Sequence, residues 1–183
     1  MLLFALAIAC STYISRWCLA LCVTNVIVLI AYAKYSKKIG LLKNLMVGYL
    51  VGSVTLFGAT KLELMNLPIV TLAACATLAT IARELIKDIE DETADASGDA
   101  QTFAIAMGER RAYTVAYACL MAAVAIAFIP YYTLEMSGTY VALICAGGAV
   151  FLGSLLSAHA RIRQMVVMVG SVIEMVAFYL GKA

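Results

Sequence analysis

"LPIVTLAACATLATIARELIKDIEDETAD", residues 67–95, begins as an apolar run and ends in concentrated acid, with neither Pro nor Gly after Pro68 to break it. Its first part approaches the roughly 20 apolar residues that carry a helix across a bilayer. Its second part is too charged to enter lipid. The stretch therefore reads as a membrane helix that continues, still helical, into water at one end. Of the eleven Asp and Glu residues, eight lie between Arg83 and Arg111; Glu63, Glu135 and Glu174 are the others.

Working outward, the remaining sequence repeats the apolar half of that pattern. The 183 residues are 64% hydrophobic and 13% charged, with a mean hydropathy of +0.98. Soluble domains are roughly half apolar and about a quarter charged. The composition predicts an all-α integral membrane protein, a multi-helix transmembrane bundle forming one domain over residues 1–183. Candidate spans are residues 1–15 (short), 17–33, 44–60, 67–82, 112–129, 138–157 and 165–180, about seven in all. Residues 1–14 lack the basic leader and small-residue cleavage site of a signal peptide and are assigned to the bundle. The six cysteines fall in apolar stretches without a CxxC pair, so they read as small packing residues.

Basic residues give the orientation. With seven spans, Lys34, Lys37, Lys38, Lys43, Arg83, Lys87, Arg110, Arg111, Arg161 and Arg163 share one side, and Arg16, Lys61 and Lys182 the other. The positive-inside rule makes the first side cytoplasmic, the acidic segment included. The protein is expected in the cell membrane as a multi-pass chain with its active side cytoplasmic. A net charge of +2 gives no reason to expect nucleic acid as a partner. Gly48 and Gly52 form a GxxxG spacing in the third span, and Gly147, Gly148 and Gly153 lighten the sixth. Both allow close helix approach, and they are candidates for lining an apolar groove open to lipid.

Asp88, Asp91 and Asp95 follow DxxDxxxD, and offsets of three and seven return to one helix face. Converging carboxylates repel unless solvated or bound to cations. Presented to water, they suit Mg²⁺, a hard ion that takes oxygen ligands and commonly bridges carboxylates to substrate phosphates. Arg83 and Lys87 stand beside them, and Lys37 and Lys38 end the second span on the same side. Such cations neutralise a departing diphosphate. The blander reading of these residues is a solvated loop with local pairs such as Lys87 with Asp91. Glu174, inside the last span, is either functional or set in a polar cavity, paired with a neighbour such as His159 or Arg163. His159 itself reads as an interfacial anchor.

"RELIKDIEDETADASGDAQTFAIAMG" resembles the second aspartate-rich motif of the UbiA-type membrane prenyltransferases. Asp88, Asp91 and Asp95 fill its acidic positions, and Gly98, Thr102 and Gly108 the later ones. Upstream, "YAKYSKKIGLLKNLMVG" is similar to the family's Tyr-to-Lys segment and following Asn, with Tyr32, Lys37 and Asn44 in place; "LFGA" at 56–59 also fits. Within the family, "ARELIKDIED" is most similar to members that build archaeal ether lipids. Ala94 stands where Gly is usual and Ala104 where Pro is usual. The family's first motif, NDxxDxxxD, is absent.

The resemblance implies a nine-helix bundle of which this chain is the C-terminal portion, lacking the first two helices. It implies Mg²⁺-dependent transfer of a geranylgeranyl group from geranylgeranyl diphosphate to geranylgeranylglyceryl phosphate. Asp88, Asp91 and Asp95 would be catalytic metal ligands, and Lys37, Arg83, Lys87, Tyr32 and Asn44 would meet the diphosphate. The partners are then an isoprenoid diphosphate, a lipid phosphate and membrane lipid, with the oligomeric state open. The alternatives are another acceptor, such as a quinone or other aromatic precursor, a non-catalytic remnant, or a cation-binding membrane protein.

Overall fold

The structure is a computed structural model that describes residues 2–35, 40–62, 65–94 and 102–181. Among the described residues all regular structure is helical: α1 (Leu2–Thr12), α2 (Arg16–Tyr35), α3 (Gly40–Leu62), α4 (Leu67–Ala94), α5 (Phe103–Met107), α6 (Glu109–Ala127), α7 (Ile129–Leu134), α8 (Gly138–Gly153) and α9 (Ala160–Leu180). A 3₁₀ turn, Ser154–Leu156, follows α8.

Among the described residues six helices are long and apolar enough to cross a membrane, and α1 is a shorter apolar helix of 11 residues. The apolar segment expected over residues 1–15 is helical over Leu2–Thr12. The Ser11 and Thr12 hydroxyls donate to the Ile8 and Ala9 carbonyls, 2.7 Å each, and a turn follows. Ser15 Oγ then accepts the Cys18 N–H at 3.0 Å and starts a new helix. α4 begins similarly: Asn66 accepts the Ile69 N–H at 3.2 Å, and Pro68 occupies a first-turn position whose N–H needs no partner.

α4 is the axis of the bundle, packed against α3, α6 and α9 along its length and touching α5 and α7. The GxxxG pair serves the first of these contacts. A Cβ on Gly48 would lie 2.9 Å from the Thr77 carbonyl, and one on Gly52 2.7 Å from the Ala73 carbonyl, so α3 approaches to backbone contact. On the other side Leu85 and Ile86 of α4 join Leu120 of α6, Phe151 of α8 and Val167 of α9 in one fully buried core.

α8 and α9 pack by the same device. Gly147 lies against the Gly170 carbonyl, and a Cβ on Gly170 would meet the Phe151 ring. Tyr140 holds the far end, donating to the Ala127 carbonyl at 2.6 Å and meeting Phe178 edge-on, centroids 5.4 Å apart. The helices turn large apolar side chains outward, including Ile27, Val54, Val169 and Met175. That surface suits lipid rather than water.

The basic side predicted from the sequence is one end of this bundle. Lys43 in the first turn of α3 meets Asp88 of α4, Arg161 of α9 meets Glu90 of α4, and the Arg163 guanidinium sits 4.2 Å from the Tyr113 ring centroid of α6. Four helix ends gather there by their charged side chains.

Candidate active site

Asp88 is 2% exposed, and both carboxylate oxygens are engaged from α3. Lys43 Nζ donates to Oδ1 at 2.6 Å, and Asn44 Nδ2 donates to Oδ2 at 2.9 Å. A buried carboxylate without such partners would cost several kcal/mol, so the pairing is what makes this placement tenable. Asn44 is fully buried, and its Oδ1 is left without a partner beside the carboxylate. Lys43 was missed by reading the sequence for acids. Its signal was position: a cation in the first turn of α3, immediately before the Asn that the resemblance singled out.

Asp91 follows one turn along α4 and is exposed, as is Lys87. The helix thus carries two acids with different tasks, one locked into packing and one presented to water. Asp95 and Lys37 lie outside the described residues. Arg83 donates to Glu84 at 2.6 Å, a local pair of the kind that the blander reading of this segment expects. Tyr32 is half-buried near the end of α2, which packs on α3. Glu90 Oε2 accepts from Gln164 Nε2 at 2.6 Å, tying the acidic end to α9.

The later motif positions have clear local roles. Thr102 Oγ1 accepts the Ile105 N–H at 3.2 Å and caps α5, and Gly108 joins α5 to α6 at φ 87°, a left-handed conformation open to glycine at little cost. Ala104 is fully buried against Ile89 and Ala112, so α5 lies across the end of α4 next to Asp88.

Below this polar end runs an apolar groove of about 530 Å³ walled by α3, α4 and α9. On α4 its wall is the stripe Leu72, Cys75, Ala76, Ala79, Thr80 and Arg83, with Arg83 at the end nearest Asp88. The expectation that small residues of the third and sixth spans line it is corrected. Gly48 and Gly52 are consumed in packing on α4 and Gly147 in packing on α9, and α8 contributes nothing to the lining. α9 supplies the wall instead, and its apolar i, i+4, i+7 spacing at Met168, Val172 and Met175 was the available signal.

Glu174 of α9 lines this groove at 3% exposure. The expected pairing with His159 or Arg163 is also corrected: Arg163 donates to the Ser157 carbonyl at 2.7 Å, and Glu174 Oε1 has no partner. Glu174 lies 11 residues beyond Arg163 and 15 beyond His159, roughly 17 and 22 Å of helix rise away. The space for its side chain comes from Gly147, where a Cβ would stand 2.6 Å from Glu174 Cγ.

The sequence profile described as the UbiA prenyltransferase family matches residues 1–165. The chain belongs to the UbiA prenyltransferase family. Among UbiA relatives it is 42% identical over 130 residues to digeranylgeranylglyceryl phosphate synthase of Methanoculleus marisnigri, covering 70% of this chain and 47% of that one. To the enzyme of the same name in Methanopyrus kandleri it is 36% identical over 180 residues, covering 96% and 66%. A solved structure from work on digeranylgeranylglyceryl phosphate synthase in membranes superposes with a TM-score of 0.85 at 28% identity, covering 98% of this chain and 66% of that one. The UbiA chain thus spans between about half and two thirds of the length of these relatives. Its helices and its family make it a multi-pass membrane protein.

The family implies Mg²⁺, and the donors of this UbiA chain can be tested against that ion. Among the described residues no three acids, His or Cys converge. The oxygens that are available are of the right kind: the unpartnered Asn44 Oδ1, the Asp88 carboxylate beside it and the exposed Asp91 carboxylate a turn away. Hard oxygen donors in small number, with the remaining positions filled by water and phosphate, suit Mg²⁺. The residues fit as one side of a site.

Proposed function

We propose that this UbiA protein transfers a geranylgeranyl group from geranylgeranyl diphosphate to the free hydroxyl of geranylgeranylglyceryl phosphate, a step of archaeal ether-lipid synthesis. The observation that carries the reading is the junction of two environments on α4. An acidic, oxygen-rich end at Asp88 and Asp91 adjoins an apolar groove whose nearest lining residue is Arg83. A ligand with an anionic head and a hydrocarbon tail matches that junction.

In this reading Asp91 and Asp95 hold Mg²⁺ together with Asp88, and the ion, when bound, supplies charge that makes diphosphate a better leaving group. Lys43 and Asn44 hold the Asp88 carboxylate in place and aimed. Lys87, Arg83 and Lys37 add positive charge for the diphosphate, and Tyr32 stands at the same helix ends. The apolar walls of the groove exclude water from the allylic carbon, which protects it from hydrolysis. The chain acts as the C-terminal portion of the prenyltransferase domain, with the first acidic motif supplied from outside these 183 residues. The active end faces the cytoplasm, as the excess of Lys and Arg there supports.

The test is to supply Mg²⁺, geranylgeranyl diphosphate and geranylgeranylglyceryl phosphate to membranes containing the protein and to follow the lipid product by mass spectrometry. The expected product is the phosphate carrying two geranylgeranyl ethers. Prenylation of 4-hydroxybenzoate in its place would transfer the reading to an aromatic acceptor, and no product with either acceptor would overturn it.

A further inference from the structure

A second concavity opens at the basic end of the bundle, between α6, α9 and the 3₁₀ turn. Arg110, Tyr113, Thr114 and Tyr117 stand at offsets of zero, three, four and seven, so they form one stripe along α6. The face that α6 packs on α4 is a different one, made of the buried Ala112, Ala116 and Leu120. The stripe borders a cleft of about 510 Å³ whose other walls are Leu155 of the 3₁₀ turn and Arg163 of α9. Its side chains are held in place. Arg163 Nε donates to the Ser157 carbonyl at 2.7 Å while the guanidinium lies 4.2 Å from the Tyr113 ring centroid, and the Tyr117 hydroxyl is 2.7 Å from Ser154 Oγ. Among the described residues no carboxylate forms a salt bridge with Arg110 or Arg163. Glu109 at the rim is the single acid among the lining residues, so two arginines leave the cleft with net positive charge.

We propose that this cleft holds the phosphate headgroup of an anionic membrane lipid, at a site that shares no lining residue with the groove below Asp88. The depth suits a headgroup. The cleft lies where α6 and α9 begin and α8 ends, among charged helix ends, and basic pockets between membrane helices at that level are suited to lipid phosphate. Leu152, Leu155 and Leu156 beside it are exposed apolar side chains, a surface that hydrocarbon covers and water does not favour. The guanidinium group matches phosphate with two parallel hydrogen bonds, and one already stacked on an aromatic ring has little freedom left to lose on binding. A free phosphate ion meets the same arginines but makes no use of the leucines. Head and tail together fit the place.

The experiment releases the protein from nanodiscs of equal parts phosphatidylglycerol and phosphatidylcholine into native mass spectrometry and counts the lipids that stay bound. Wild type is expected to retain phosphatidylglycerol at least about fivefold more often than phosphatidylcholine. Arg110→Gln, at an exposed position, and Arg163→Gln should each bring that ratio within about twofold. Arg111→Gln removes the same charge one residue along, outside the cleft lining, and should leave the ratio unchanged. Should Arg163→Gln not fold, the Arg110→Gln result decides. Equal retention of the two lipids by wild type, or a preference kept in Arg110→Gln, overturns the proposal. An equal loss in Arg111→Gln and Arg110→Gln overturns it as well, by assigning the effect to diffuse surface charge. Displacement of the bound lipid by millimolar inorganic phosphate would give the cleft to a free anion and overturn the lipid assignment.

Discussion

Among the described residues two acids are buried, and they are treated in opposite ways. Asp88 has a partner on each oxygen, a lysine and an amide from α3, whereas Glu174 faces an apolar groove with one oxygen unpartnered. The first arrangement is complete without ligand and holds two helices in register. The second is incomplete, its Oε1 buried beside Gly147 without a donor. The difference separates an acid that ties two helices together from one that is only packed between them.

Substitution sharpens that contrast. The largest effect is expected outside the pair, at Asp91: exposed and one turn from Asp88, it is the acid free to take a metal ligand's role. Asp91→Ala should lower Mg²⁺-dependent release of diphosphate from geranylgeranyl diphosphate by about three orders of magnitude, the scale of losing a group that stabilises developing charge. Near-wild-type release would remove the metal role from this end of α4. Next comes Lys43→Met, which strands the buried Asp88 carboxylate. Loss of one partner of a buried pair costs about 3 to 5 kcal/mol, and Lys43, 22% exposed, should fall at the lower end, measured by denaturant unfolding in detergent. A loss under about 1 kcal/mol would mean that Asp88 is better solvated than its position indicates.

Gly52→Ala probes the helix contact on which the Asp88 pairing depends. The added methyl would meet the Ala73 carbonyl, a backbone atom with little freedom to yield, and a cost of about 1 to 3 kcal/mol in unfolding free energy is expected. Unchanged stability would show that α3 and α4 slide apart easily. The smallest effect belongs to Glu174→Gln. Gln keeps the side chain's shape, and no ion pair of the Lys43–Asp88 kind is broken at Glu174, so a shift of less than about 1 kcal/mol is expected in the same assay. An effect as large as that of Lys43→Met would erase the distinction between the two acids.

The sequence made some of this legible for physical reasons. Apolar length and the alternation of basic loops report directly on the bilayer, so α2, α3, α4, α6, α8 and α9 could be read from composition alone. The DxxDxxxD spacing predicted continued helix through Asp91, and α4 runs to Ala94. The C-terminal bound of α1 was read at 15 in place of Thr12 because hydropathy does not register the Ser11 and Thr12 hydroxyls that help to end it. Lys43, the groove wall on α9 and the isolation of Glu174 depend on which helices become neighbours. That information lies in small-residue contacts such as Gly48 with Thr77, which specify closeness without specifying the partner.

The central claim is that the acidic end of α4 binds a divalent ion together with diphosphate. Mn²⁺ in place of Mg²⁺ makes this directly visible by electron paramagnetic resonance. Wild-type protein with diphosphate should give an immobilised Mn²⁺ signal carrying phosphorus hyperfine coupling, and Asp91→Ala should lose it. A wild-type spectrum identical to that of Mn²⁺ and diphosphate in buffer would contradict the account.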